Sequence, residues 1–151
     1  MQDIEDFKKS IGKKSRLLGI DPGKKRVGLA ISDEDKVVST PLKTIIKKNN
    51  SDLIKEIKVI IGENNIKGIV VGNPINMDGS KGPSAQSAND FAKYLSNNIS
   101  IPVTMWDERL SSQAAFNLSS NLDINTSKKV EKLDQNAASF ILQGAIDYIK
   151  R

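Results

Sequence analysis

Residues 17–33 read LLGIDPGKKRVGLAISD. Two short apolar runs, Leu17-Leu18-Gly19-Ile20 and Val27-Gly28-Leu29-Ala30-Ile31, enclose Asp21-Pro22-Gly23-Lys24-Lys25. The proline and glycine make that middle segment a turn. The expected structure is a β-hairpin that opens a sheet, with Asp21 closing its first strand. Open α/β sheets bind their ligands outside the carboxyl ends of strands, which is where this aspartate falls. A purely local role competes with that one, because an aspartate ahead of a proline also makes an Asx turn.

Outward from the hairpin, the spacing predicts strands over 16–20 and 26–32, then a polar turn at 33–36 and a third strand over 37–46. Pro41 lies inside that third strand, which argues for an edge position or a bulge. Three strands joined by tight turns make an antiparallel meander. The period then changes: Leu53, Ile54, Ile57, Ile60 and Ile61 recur at helical spacing from Ser51-Asp52 to Gly62. Residues 67–72, KGIVVG, form an apolar run typical of a central parallel strand. A loop over 73–83 leads to a helix over 84–97 carrying Ala85, Ala88, Phe91, Ala92 and Leu95 on one side. A fifth strand over 101–106 ends at Asp107-Glu108-Arg109, and a short helix (110–119), a polar loop (120–127) and a long helix (128–150) complete the chain.

Residues 1–14 read as a charged arm in which Ile4, Phe7 and Ile11 make an amphipathic turn or two; residues 15–151 read as a single domain. The fold class expected is α/β: a mixed five-stranded sheet, an antiparallel meander plus two parallel strands, flanked by helices. That is the layout of the ribonuclease H-like fold.

Composition narrows the chemistry. Among 151 residues there is no cysteine and no histidine. Disulfides, thiolate zinc sites and thiol nucleophiles are thereby excluded, as are the commonest general base and the commonest transition-metal ligand. Carboxylates are left to carry any catalysis. The excess of 23 basic over 18 acidic residues is compatible with nucleic acid without being diagnostic of it. No apolar run is long enough for a membrane span, and the charged start does not resemble a secretory signal, so a cytoplasmic setting is expected.

Three acidic positions have apolar company: Asp21, the pair Asp107-Glu108, and Asp134, whose neighbours at helical spacing are Val130, Ala137, Ala138 and Ile141. A carboxylate in such surroundings is costly unless a cation or donor compensates it. For Asp134 a pairing lysine or a helix cap is as good a reading as catalysis. If strands one and five run parallel, the carboxylates converge on one hollow, and an all-oxygen set suits Mg²⁺ or Mn²⁺ and two-metal phosphodiester hydrolysis. Arg109 either pairs with Glu108 or binds phosphate. The loop over 72–83 either offers amides to a phosphate or is a plain connection, and it lacks the Gly-Lys-Ser/Thr ending of a P-loop. Lys24, Lys25 and Arg26, with Lys128 and Lys129, flank the hollow and are candidates for holding a nucleic-acid backbone.

LGIDPGKKRVGLAISD, VVGNPINMDGSKGPSAQ, WDERLSS and KLDQNAASFILQ together resemble the four signature blocks of the YqgF family, also called RuvX-like Holliday junction resolvases. The resemblance implies the ribonuclease H-like fold and a bacterial, cytoplasmic hydrolase, an endonuclease acting in 5′-end processing of the small-subunit ribosomal RNA precursor, pre-16S rRNA. It also implies that Asp21, Glu108 (with Asp107) and Asp134 bind divalent metal and carry out the hydrolysis. Relative to RuvC-type resolvases, strand four ends in Gly72-Asn73-Pro74 without an acid, and Glu108 is the expected substitute. The alternatives are a resolvase of four-way DNA junctions and a non-catalytic nucleic-acid-binding factor of ribosome assembly. Nucleic acid is the expected partner, together with ribosomal particles; the chain acts as a monomer or a homodimer.

Overall fold

A computed structural model describes residues 1–74, 78–110 and 126–150, and of 126–135 the helical backbone alone. Helix α1 (Ile4–Ser10) precedes strands β1 (Arg16–Asp21), β2 (Arg26–Ser32) and β3 (Ser39–Ile46); α2 (Asn50–Asn64), β4 (Ile66–Asn73), α3 (Pro83–Asn98) and β5 (Val103–Asp107) follow. A 3-10 turn (Glu108–Leu110) comes after β5, and the last helix is α4 (Thr126–Ile149). The short helix expected over 110–119 and the loop after it fall largely on residues 111–125, outside the described residues.

The five strands form one sheet in the order β3-β2-β1-β4-β5. β1 pairs antiparallel with β2 and β2 with β3, whereas β4 pairs parallel with both β1 and β5. The expected meander plus two parallel strands is therefore present, and β1, β4 and β5 all end at one edge. β3 occupies the other flank of the sheet, and its register slips where Ala30 faces Pro41 and Leu29 faces Lys43. Pro41 thus sits both on an edge strand and at a bulge, the two places a residue without an N–H is tolerated.

Strand β3 starts two residues later than its apolar pattern suggests. Asp33 Oδ1 accepts the amides of Val37 (2.7 Å) and Val38 (3.0 Å), which holds both residues in the turn. Both valines remain more than half or about half exposed, at 59% and 50%. The Val38 amide, with help from Val37, holds the Asp33 carboxyl below the usual aspartate range. A lowered folded pKa gives stability that is present above the unfolded value and lost as pH falls through the folded one. The melting-temperature gap between wild type and Asp33→Ala is accordingly expected to narrow on acidification below about pH 4; a gap independent of pH would contradict this.

The alternation of β1 divides the core. Leu18 and Ile20, with Ile69 and Val71, pack against Leu53, Ile57 and Ile60 of α2 and Phe91, Ala92 and Leu95 of α3. Leu17, Val70 and Trp106 face the opposite way, toward Ala138, Ile141, Leu142 and Ala145 of α4. Gly19 lets that helix sit directly on the sheet, since a Cβ there would lie 2.7 Å from Leu142 Cβ and 3.1 Å from the Ala138 carbonyl oxygen. The end of α4 near Ile149 lies beside Gly12, Lys13 and Lys14, just before β1 begins. Helix α4 therefore runs antiparallel to β1, and its earlier turns lie toward the carboxyl ends of the strands.

The expected charged arm is built into this second layer. Asp3 caps α1 by accepting the Asp6 amide, and Phe7, wholly buried, joins the cluster under α4 together with Ile11. A bridge between Gln2 and Thr104 ties the segment to β5. Burying a single aromatic outweighs the charged remainder of a seven-residue helix, which alone would not be stable. Phe7→Ala is expected to cost about 3–5 kcal/mol; a change in unfolding free energy below about 1 kcal/mol in a denaturant titration would show that the segment does not belong to the core.

Candidate active site

In the sheet register Ile20 stands beside Val71, Gly72 beside Trp106, and Asn73 beside Asp107. Asp21 and Gly72, one residue beyond the first of these pairs, therefore lie at the common edge where the three parallel strands end. Asp21 is half-buried and alternates with Gly19, so it belongs to the α4 face. After β5 the chain tightens into the 3-10 turn, and this folds the Glu108 side chain back across the strand ends. Its carboxylate lies over Gly72: a Cβ built there would be 2.8 Å from Glu108 Oε1 and 2.5 Å from Ile141 Cδ1. The missing side chain at Gly72 is the space that Glu108 uses.

Glu108 is in hydrogen-bond contact with Asp21. Burial pushes the Glu108 carboxyl above its ordinary range; the hydrogen bond to Asp21 opposes that, and the charge of Asp107 adds to it. Two carboxyl groups so close resist being charged together, and a cation bound by both offsets that cost. An all-oxygen pair of this kind suits a hard divalent ion.

Asp107 has a different partner. Arg109 grips it in a fork, Nε at 3.1 Å from Oδ1 and 3.0 Å from Oδ2, Nη2 at 2.6 Å from Oδ2, with the Arg109 amide also donating to Oδ1 at 2.9 Å. These bonds hold the Asp107 carboxyl below its usual range. The pairing expected with Glu108 is not the one formed: Arg109 holds Asp107 instead. The turn at Asp78, Gly79 and Ser80 approaches the same guanidinium, with Gly79 at φ +88° and Asp78 accepting both the amide and the hydroxyl of Ser80. The charge of Arg109 also helps to hold the Asp78 carboxyl low, after the two bonds from Ser80. Residues 75–77 of this loop lie outside the described residues.

Asp134 belongs to α4, one turn before Ala138, and its side chain, like those of Lys128 and Lys129, lies outside the described residues. Among the described residues no three acidic side chains gather into a metal cluster. Of the hollow expected from the sequence, Asp21 and Glu108 are brought together, while Asp107 turns to Arg109. Lys25 on the β1–β2 turn and Arg26 at the start of β2 stand exposed, and Lys24 opens on the other side of the sheet, into a cleft below α3.

The family model for RuvX, described as Holliday junction resolvase, matches residues 15–148. This chain belongs to the RuvX family. A RuvX relative from Pelagibacter ubique (strain HTCC1062) is 58% identical over 149 residues, 99% of each chain. One from Rhodobacter capsulatus is 40% identical over 144 residues, 95% of this chain and 91% of its own. Both are named "Putative pre-16S rRNA nuclease". Among solved structures, T. thermophilus RuvC in complex with Holliday junction substrate superposes with a TM-score of 0.52 at 11% identity, covering 89% of this chain and 94% of that one. The fold is thus the ribonuclease H-like fold of RuvC.

The cleft below α3 has no counterpart in the sequence pattern of this RuvX chain. Lys24, Lys47 and Ser87 come together there from three elements, and no spacing along the chain signals it.

Proposed function

We propose that this RuvX protein is a metal-dependent endonuclease that hydrolyses a phosphodiester bond in the 5′ flank of pre-16S rRNA. Asp21 and Glu108 carry the reading: two carboxylates from separate strand ends, in contact on the α4 face where the sheet ends. The names of the two relatives support the substrate.

Asp21, Glu108 and Asp134 are the residues that would hold Mg²⁺ or Mn²⁺. When bound, such an ion supplies Lewis-acid polarisation of the phosphate and an activated water. The chain's own contribution is preorganisation. Gly72 leaves room for the Glu108 carboxylate, and Ile141 screens it from water. Asp107 fixes the Arg109 guanidinium beside the strand ends. From there it can steer a phosphate of the substrate. A cytoplasmic setting goes with a ribosomal RNA substrate; among the described residues no helix is long and apolar enough to cross a membrane.

Four-way DNA is the second reading, favoured by the family description. Cleavage of labelled precursor RNA and of a four-way junction, side by side with Mg²⁺, Mn²⁺ or EDTA, separates the two. Metal-dependent cutting of the RNA is the expected result. Cutting of the junction alone would overturn the RNA assignment. Binding without cleavage, unchanged by EDTA, would make the protein an assembly factor instead of an enzyme.

A further inference from the structure

The chain that carries Asp21 continues through Pro22 and Gly23 over the lip of the sheet to the opposite face. There it meets a cleft of about 160 Å³. Its floor is apolar, made by Val27, Ala88 and Phe91, all buried. Around the rim stand four polar side chains: Lys24 from the β1–β2 turn, Lys47 just after β3, and Ser84 and Ser87 from the first turns of α3.

The cations are set in place by the backbone. The Lys47 amide donates to the Lys25 carbonyl at 2.8 Å, which ties the end of β3 to the turn carrying Lys24. The Lys47 ammonium lies 6.0 Å from the centre of the Phe91 ring, over the cleft floor and not out in solvent. Among the described residues neither lysine forms a salt bridge with a carboxylate. The rim is thus positive, with two hydroxyl donors and no acid. Helix α3 also opens here, with Gly82 in the N-cap position and no side chain capping its first amides. A floor with little exposed ring face suits no stacked base, and a space of this size suits one phosphate with its ester carbons. Both point to the backbone of a nucleic acid.

We propose that this cleft binds a backbone phosphate of the substrate strand, beyond the scissile bond. The strand then bends around the edge of the sheet, from the carboxylates on the α4 face across Pro22 and Gly23 to Lys24 and Lys47 on the α3 face. Such a path needs a flexible single strand. The proposal rests on the nuclease reading only for the orientation of the strand; binding itself requires no chemistry.

The test is binding of a short labelled single-stranded RNA in EDTA, where no cleavage occurs, across a salt series. It uses wild type, Lys24→Gln/Lys47→Gln and Ser87→Asp, with Lys58→Gln on exposed α2 as control. The double variant is expected to bind about three- to tenfold more weakly. Its plot of log affinity against log salt should be shallower by about 0.7–1, the share of one phosphate. Ser87→Asp, which sets a negative charge against the phosphate and alters no buried group, should weaken binding likewise, and the control should not. Affinity and salt slope unchanged in both cleft variants would overturn the proposal. Loss of binding in them by a protein that never cleaves RNA would uphold the cleft and count against the nuclease reading alone.

Discussion

Glu108→Gln is expected to keep the fold and to lower cleavage by about a hundredfold or more. The amide has the shape of the carboxylate, stays neutral where burial disfavours a charged Glu108, and can donate to Asp21. The melting temperature should therefore stay level or rise. Activity should fall because the pair can no longer present two negative charges to a divalent ion. Loss of a group that merely supports a metal ligand already costs 10–100-fold, and a ligand should cost at least the upper end of that. Asp21→Asn should behave alike, and near-wild-type cleavage by either variant would remove these residues from the centre.

The second large effect is expected at Gly72, a residue with no side chain to do chemistry. A methyl group there meets Ile141 Cδ1 at 2.5 Å and Glu108 Oε1 at 2.8 Å, so Gly72→Ala must displace both. Overpacking against Ile141 should cost about 1–3 kcal/mol. Moving the carboxylate by a fraction of an ångström to an ångström should cost about ten- to a hundredfold in rate. The two effects separate in Gly72→Ala/Ile141→Val, which relieves the packing and leaves Glu108 displaced. Stability should return in that double variant, and activity should not. Return of both would mean that Gly72 matters only for packing.

Much of this was legible from residue patterns. An aspartate directly after a four-residue apolar run, with a turn behind it, located Asp21; a proline inside a strand put β3 at the edge. What the chain alone withheld depends on direction in space. Whether Arg109 pairs with the residue one or two positions before it is decided by the 3-10 turn at Glu108, which returns the glutamate to Gly72 and leaves Asp107 for the guanidinium. Ile4, Phe7 and Ile11 mark an apolar side on residues 1–14, but only the fold shows what receives it, a pocket for Phe7 between Leu17 and α4. Lys24 and Lys47 meet through the pairing of β2 with β3, and Ser87 reaches them only once α3 is laid across the sheet.

The central claim is that Asp21 and Glu108 together hold a divalent ion. Crystals grown with Mn²⁺ test it most directly, through the anomalous scattering of the metal. A peak within coordinating distance of both carboxylates is expected, absent in crystals of Glu108→Gln. A peak elsewhere in the molecule, with Asp21 and Glu108 still hydrogen-bonded to each other, would contradict it.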